Sequence, residues 1–108
     1  MAKLTRTLSG NLNSLMHKIK DGILEGSATA TLEEVCTFEE KGARCGVMVF
    51  ERYSYKGNNR VSMNVTLFQS GDGPVHLCAI TSGGSQAMFY KINTWGEESF
   101  LSKLEEIL

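Results

Sequence analysis

The longest apolar run that could form one strand is Gly46-Val47-Met48-Val49-Phe50, and this stretch decides the fold. Successive side chains of a β-strand point to opposite faces of the sheet, so an unbroken apolar run puts apolar groups on both faces. The sequence therefore predicts a central strand, over about residues 44–55, that is covered on both sides.

The segments on either side of this strand alternate between apolar and polar residues. Such alternation is typical of strands with one buried face. The predicted strands of this kind are residues 28–38, 61–67, 75–81 and the shorter 86–92. The turns between them contain glycine, often with Asn, Asp or Ser, and lie at residues 39–42, 56–59, 71–74 and 82–85. Loops this short predict antiparallel neighbours in meander order.

Apolar residues recur at helical spacing near both ends of the chain. The first stripe predicts an amphipathic helix over residues 9–24. The second follows Thr94-Trp95-Gly96-Glu97, which has the S/T-x-x-E pattern of a capping box. The predicted fold is therefore α+β. It has an antiparallel sheet of four to five strands flanked by an N-terminal and a C-terminal helix, in the order α-β-β-β-β-β-α.

Length and composition indicate one ordinary domain over residues 1–108. The net charge is −1 and no basic stripe is visible, so we expect no nucleic-acid partner. No run of about 18 apolar residues exists and the first residues resemble no signal peptide, so we expect a soluble, cytoplasmic protein without a membrane partner. Three cysteines without a C-x-x-C pair are expected to be reduced and mostly buried.

The alternation sorts the strand residues onto two faces if each four-residue turn joins directly opposite residues. One face, with Met48, Phe50 and Val65 among its members, is almost purely apolar and is expected to carry both helices. The other, which we call the mixed face, combines apolar residues such as Val47 with polar ones such as Asn64. Unless one helix covers each face or the sheet curls over itself, the mixed face needs a second copy, a partner or a bound apolar ligand.

Several residues of the mixed face are candidate ligand contacts, because small-molecule sites are largely apolar with a few convergent polar groups. These residues are Glu51, Tyr53, Asn64, Thr66 and Tyr90. The same mixture describes a partly solvated face or the rim of a dimer interface. Cys36 and Cys45 are predicted cross-strand neighbours, and packing explains them better than a redox pair or a metal site. No catalytic residue, metal ligand or cofactor is predicted.

One segment resembles a known family. Residues 84–98 read Gly84-Ser85-Gln86-Ala87-Met88-Phe89-Tyr90-Lys91-Ile92-Asn93-Thr94-Trp95-Gly96-Glu97-Glu98. This segment is similar to the C-terminal part of a small bacterial family of uncharacterised proteins, domains of unknown function of about this length. The resemblance implies a domain that spans the whole chain, and it implies neither an activity nor site residues.

Three functions follow from these patterns. The first is a non-enzymatic binding or interaction domain that forms a homodimer through a sheet face. The second is a carrier or sensor for a small apolar ligand, with a pocket between the sheet and the helices. The third is an enzyme, and no residue pattern in the sequence favours it.

Overall fold

The structure is a computed structural model that describes residues 1–54, 59–83 and 90–108. These residues form five strands and two helices. The elements are β1 (Ala2–Leu8), α1 (Leu12–Gly26), β2 (Thr31–Glu40), β3 (Ala43–Ser54), β4 (Asn59–Ser70), β5 (Val75–Gly83) and α2 (Tyr90–Ile107).

The strands form a single antiparallel sheet in the order β1-β5-β4-β3-β2. Strands β2 to β5 are a meander, and β1 pairs with the outer side of β5. The predicted α+β class is confirmed, with an antiparallel sheet and a helix near each end of the chain. The element order differs from the predicted one. One strand, β1, precedes α1, and four described strands instead of five lie between the helices, so the order is β-α-β-β-β-β-α.

The N-terminal strand β1 was not predicted. Its sequence alternates, with Ala2, Leu4 and Leu8 on the side that packs against the core. Leu8 therefore belongs to the strand and not to the helical stripe. Helix α1 begins only at Leu12, since the side chain of Asn11 caps it by accepting hydrogen bonds from the backbone N–H groups of Asn13 (2.9 Å) and Ser14 (3.2 Å).

The predicted fifth strand at residues 86–92 is wrong at residues 90–92, which the structure describes. Residues 90–92 belong to α2, and residues 84–89 lie outside the described part of the chain. The edge of β5 that such a strand would use is already occupied by β1. Thr94 consequently lies inside the helix and does not cap its start.

Both helices pack on one face of the sheet and build the core there. Helix α1 buries four apolar side chains and α2 buries Phe100, Leu101 and Leu104 against the same sheet face. The buried sheet residues are Met48, Phe50, Val61, Met63, Val65, Leu67, Val75, Leu77 and Ala79. The expectation that the helices cover the face with Met48 and Phe50 is correct.

Two glycines allow close contacts in this layer. A Cβ atom at Gly22 of α1 would lie 2.7 Å from the side chain of Ile107, so the missing side chain lets α1 and α2 approach each other. A Cβ atom at Gly46 of β3 would overlap the sulfur of Met16. Gly22 is therefore a contact point between the two helices.

A buried glutamine fixes the start of α1 to the sheet. The carboxamide Nε2 of Gln69 donates to the backbone oxygens of Gly10 and Gly73, both at 2.8 Å. Its Oε1 accepts from the backbone N–H of Leu12 (3.0 Å) and from Nη2 of Arg44 (2.9 Å). Every hydrogen-bonding direction of this buried side chain is used, so it joins β3, β4, α1 and the loop before β5.

The predicted strand register is wrong by two residues at the β2–β3 and β3–β4 turns and by one residue at the β4–β5 loop. The turn between β2 and β3 contains two residues, Lys41 and Gly42, both with positive φ, so Phe38 and not Cys36 faces Cys45. The loop between β4 and β5 has five residues between the paired Gln69 and Val75. An odd slip exchanges the faces of a strand.

A four-residue turn before β5 would place Leu77 and Ala79 on the mixed face and Cys78 and Ile80 under the helices, and the odd slip reverses this prediction. Leu77 and Ala79 lie under the helices, while Cys78 and Ile80 lie on the other side. On β2, the register shift between Leu32 and Glu34 places Leu32 opposite Phe50 on the helix-covered side, not on the mixed face.

Replacement of Leu104 tests the role of α2. Leu104 is fully buried in the core, so Leu104→Ala should lower the free energy of unfolding by about 2–5 kcal/mol. Chemical denaturation followed by circular dichroism measures this change. The exposed Ser102→Ala on the same helix is the matched control and should change it by less than about 0.5 kcal/mol. Equal effects of the two variants would show that α2 does not belong to the cooperative core.

Replacement of Gln69 tests the buried hydrogen-bond network. Gln69→Leu removes the hydrogen bond to the buried Leu12 N–H group, and a buried group left without a partner costs about 1–3 kcal/mol. It also removes the bonds to the half-buried or exposed backbone oxygens of Gly10 and Gly73. We expect a loss of at least about 2 kcal/mol in thermal or urea unfolding. Hydrogen exchange should accelerate first at the start of α1. Unchanged stability would mean that the network is not needed.

Candidate functional site

The sheet face opposite the helices carries no other element of the described chain. The strand register places its side chains in three adjacent cross-strand rows, which we call the open face. Written from β2 to β1, the rows are Phe38, Cys45, Phe68, His76 and Thr7; Cys36, Val47, Thr66, Cys78 and Thr5; and Glu34, Val49, Asn64, Ile80 and Lys3.

Large apolar side chains lie on the open face in contact with solvent. Phe38 is 64% exposed, Phe68 is 44% exposed and Ile80 is 39% exposed. Val47 and Val49, at the centre of the sheet, are half-buried because their neighbours on the same face shelter them. The apolar part of the face thus extends over all four strands from β2 to β5.

Charged residues gather beyond one end of the open face. Nε of Arg60 lies 2.8 Å from Oε1 of Glu51, and its Nη2 lies 3.9 Å from Oε2 of Glu33. The hydroxyl of Thr31 donates to Glu33 in the same group. Arg60 is paired with both carboxylates, and the group is largely in contact with solvent, so it forms a polar boundary and not a binding centre.

Four of the five candidate ligand contacts lie on this side of the sheet. Tyr53 and Glu51 are in the polar end, Asn64 is in the third row and Thr66 in the second. The hydroxyl of Thr66 donates to Oδ1 of Asn64 at 2.9 Å. From Tyr53 to Thr66 the group covers four successive rows, a length of roughly 20 Å along the strands. The structure therefore arranges these residues as a stripe rather than around one point.

The fifth candidate, Tyr90, is the first residue of α2 and not part of a strand. Its side chain lies outside the described part. Sequence reasoning missed Cys78, Ile80 and His76 as members of the open face, because they depend on the odd loop before β5.

All three cysteines lie on the open face. Cys36 is exposed, Cys45 and Cys78 are half-buried, and all three thiols are free. The expectation of mostly buried thiols is therefore wrong. Cys36 and Cys45 are diagonal neighbours on adjacent strands, with Cα atoms typically about 7–8 Å apart in such pairs, which is too far for a disulfide without backbone movement.

Depressions in the surface lie on both sides of the sheet. An open depression of about 520 Å³ lies on the open face between β1, β5 and β4, where Thr66, Phe68, His76 and Cys78 contribute to its wall. Only Thr66 among the candidate ligand contacts belongs to it. A second, of about 210 Å³, separates α1 from β2, and a third, of about 290 Å³, lies beside the start of α1.

The described residues contain no group of three or more His, Cys, Asp or Glu side chains placed to bind a metal ion.

Burial lowers the pKa of Arg52, because it removes water from the guanidinium. This guanidinium lies 4.8 Å above the ring of Phe100 and donates to the hydroxyl of Ser99.

Within the described chain, no helix has the length and apolarity needed to cross a membrane.

Comparison with known proteins identifies a family. No curated protein and no solved structure matches the chain. A family model described as a family of unknown function (DUF6054) matches residues 1–108. This match agrees with the resemblance of residues 84–98 to a domain of unknown function. The chain therefore belongs to the family of unknown function DUF6054.

Proposed function

We propose that this protein is a non-enzymatic interaction domain that forms a homodimer by packing the open faces of two copies against each other. The observation that carries the proposal is the exposure of Phe38, Phe68 and Ile80 on one continuous sheet face. Isolated apolar residues on a surface need no explanation, but a contiguous apolar patch favours an interaction site.

The size of the open face suits a second copy of the chain. Five strands about 4.8 Å apart and about eight residues of about 3.4 Å along each strand give a face of roughly 600 Å² in projection. Side-chain relief adds to this area. A standard interface buries about 800 Å² of accessible surface per partner, so the face is large enough for a stable dimer.

The distribution of polar groups also favours this arrangement. Protein interfaces place apolar and aromatic residues at the centre and charged residues at the rim. In a two-fold dimer centred on the first two rows, Val47 and Phe68 would meet their copies, while Glu51 and Arg60 would stay at the solvated ends. Two sheets packed in this way lie about 10 Å apart with strands within about 30° of each other.

The polar side chains inside the face do not oppose its burial. The Thr66 hydroxyl already donates to Asn64, so that hydrogen bond would enter the interface intact. The amide hydrogens of Asn64 have no partner among the described residues, so burial of this side chain in the dimer requires acceptors from the second copy. A buried amide without such acceptors would weaken the dimer, so this residue also contributes to specificity.

A carrier of small apolar ligands is less well supported. The layer between sheet and helices is filled by fully buried side chains. The gap between α1 and β2 has about 210 Å³ and the depression beside the start of α1 about 290 Å³, both below the roughly 300–1,000 Å³ of most ligand sites. The core therefore offers little space for a ligand, and the open face carries the proposal.

We place the protein in the cytoplasm. Its three thiols are free, and one of them is exposed. Free surface thiols persist in a reducing compartment, which supports this location.

The dimer is tested by its mass. Sedimentation at about 100 μM should give twice the chain mass of 11.9 kDa, because apolar burial drives association. Phe68→Lys with Ile80→Lys should produce a monomer, since two buried charges would face the partner. Leu24→Lys on α1 is the matched control, because Leu24 is also exposed (37%) but lies on the helix side. A monomeric wild-type chain would overturn the proposal.

Thiol labelling locates the interface independently. If the open faces meet, Cys45 and Cys78 should react with iodoacetamide more slowly at about 200 μM protein than at about 1 μM, because association covers both residues. The Phe68→Lys, Ile80→Lys variant should lose this concentration dependence. A dimer whose cysteines label at the same rate at both concentrations would use a different surface.

A further inference from the structure

The outer edge of β2 is the second unoccupied surface of the sheet. Strand β2 ends the sheet and has ten residues, Thr31–Glu40, of which only Leu32 is not exposed. About half of the backbone N–H and C=O groups of an edge strand point outward, without a partner strand. Among the described residues, no backbone group pairs with this edge.

The side chains of β2 give this edge a strong negative charge. The strand contains Glu33, Glu34, Glu39 and Glu40 and no basic residue. Glu33 is close to Arg60, but the other three glutamates have no ion pair in the described part of the chain. The edge therefore carries several uncompensated charges around a central apolar segment.

The positions of the glutamates disfavour a second β2 strand as the partner. If two β2 strands paired antiparallel about Thr37, Glu34 of each copy would face Glu40 of the other on the same side of the sheet. Both halves of the symmetric pair would repeat this contact. Like charges directly opposite each other destabilise a strand pair, so this self-pairing is opposed.

Apolar side chains of β2 point to both sides of the sheet between the two glutamate pairs. Val35 is 51% exposed, on the helix side beside the gap lined by Met16, Leu32 and Met48. Phe38 is 64% exposed on the open face. Charges that only protect an edge from aggregation would not require two large apolar residues to remain uncovered there.

We propose that the edge of β2 binds an extended, basic segment of a partner protein, which adds a sixth strand to the sheet. The segment would have Lys or Arg residues near the two glutamate pairs and apolar residues beside Val35 and Phe38. Backbone hydrogen bonds supply the affinity in this type of recognition, and alternate side chains supply the specificity. The proposal uses the backbone edge of β2 and does not depend on the dimer, although three side chains of this strand, Glu34, Cys36 and Phe38, also belong to the open face.

A peptide with this chemistry tests the proposal directly. The probe is the acetylated, amidated octapeptide Lys-Lys-Val-Thr-Val-Thr-Lys-Lys, and isothermal calorimetry at low salt measures its binding. Its control is the same peptide with N-methyl groups on alternate residues, which retains the charge but cannot form one strand edge. We expect binding of the first peptide, at least tenfold weaker binding of the second, and slower hydrogen exchange in β2 when the first is bound.

Two protein variants with the same change in net charge separate the edge from general electrostatics. Glu34→Gln, Glu39→Gln and Glu40→Gln together should weaken binding about tenfold or more, given the usual size of cross-strand charge pairs. Glu25→Gln, Glu98→Gln and Glu106→Gln, all exposed and located on the helices, should weaken it less than threefold. All six side chains are exposed, so both variants should fold.

Three results would overturn the proposal. The first is no binding of the octapeptide at millimolar concentration. If the β2 triple variant then also aggregates, the glutamates serve to protect the strand edge from aggregation. The second is equal binding of the methylated peptide, which would show attraction of charge without strand pairing. The third is equal weakening by the two triple variants.

Discussion

The fold depends on one topological constraint, which is that α1 must connect the two opposite edges of the sheet. Strand β1 lies at one edge and β2 at the other, and both run in the same direction. The connecting helix has to cross one face, and its buried residues, such as Ile19 and Ile23, fill that side. Helix α2 then covers the part of the same face near β4 and β5. The opposite face receives no cover from the described chain.

Gln69 holds this arrangement in place at the point where the chain enters α1. An amphipathic helix can slide or rotate on an apolar sheet at little cost, because apolar contacts have no direction. The four hydrogen bonds of the buried carboxamide do have direction, and they fix the first turn of α1 relative to β3 and β4. Packing thus supplies the stability of the helix layer, while Gln69 determines its position.

The sequence predicts those parts of the fold that depend on local pattern. An unbroken apolar run identified β3, and apolar alternation identified β2, β4 and β5. Helical spacing identified both helices, with α2 beginning earlier than expected at Tyr90. Strand β1 was missed because seven residues with a small Ala2 and a charged Arg6 give a weak signal. Its presence is decided by pairing with β5, and such a long-range contact leaves no mark in the local sequence.

The candidate site was less predictable than the fold. The face on which a strand side chain lies depends on whether the preceding loop has an odd or an even number of residues. The turn at Lys41 and Gly42 is two residues shorter than assumed, and an even error leaves every side chain on its face. The loop before β5 has an odd number of residues, so Cys78 and Ile80 changed faces together. One residue in one loop therefore decided which side chains of β5 lie on the open face, although Asn64 and Thr66 were placed on the correct side.

The open face and the β2 edge occupy perpendicular directions of the sheet, so one molecule has room for both proposed contacts. A second copy stacks on the face, along the sheet normal, whereas an added strand extends the sheet in its own plane. Phe38 lies where the two surfaces meet, since it belongs to the open face and to the edge strand. A strand docked beside it would widen the face presented to the second copy. The two contacts should therefore strengthen each other, because the area available to the dimer grows when the edge is occupied.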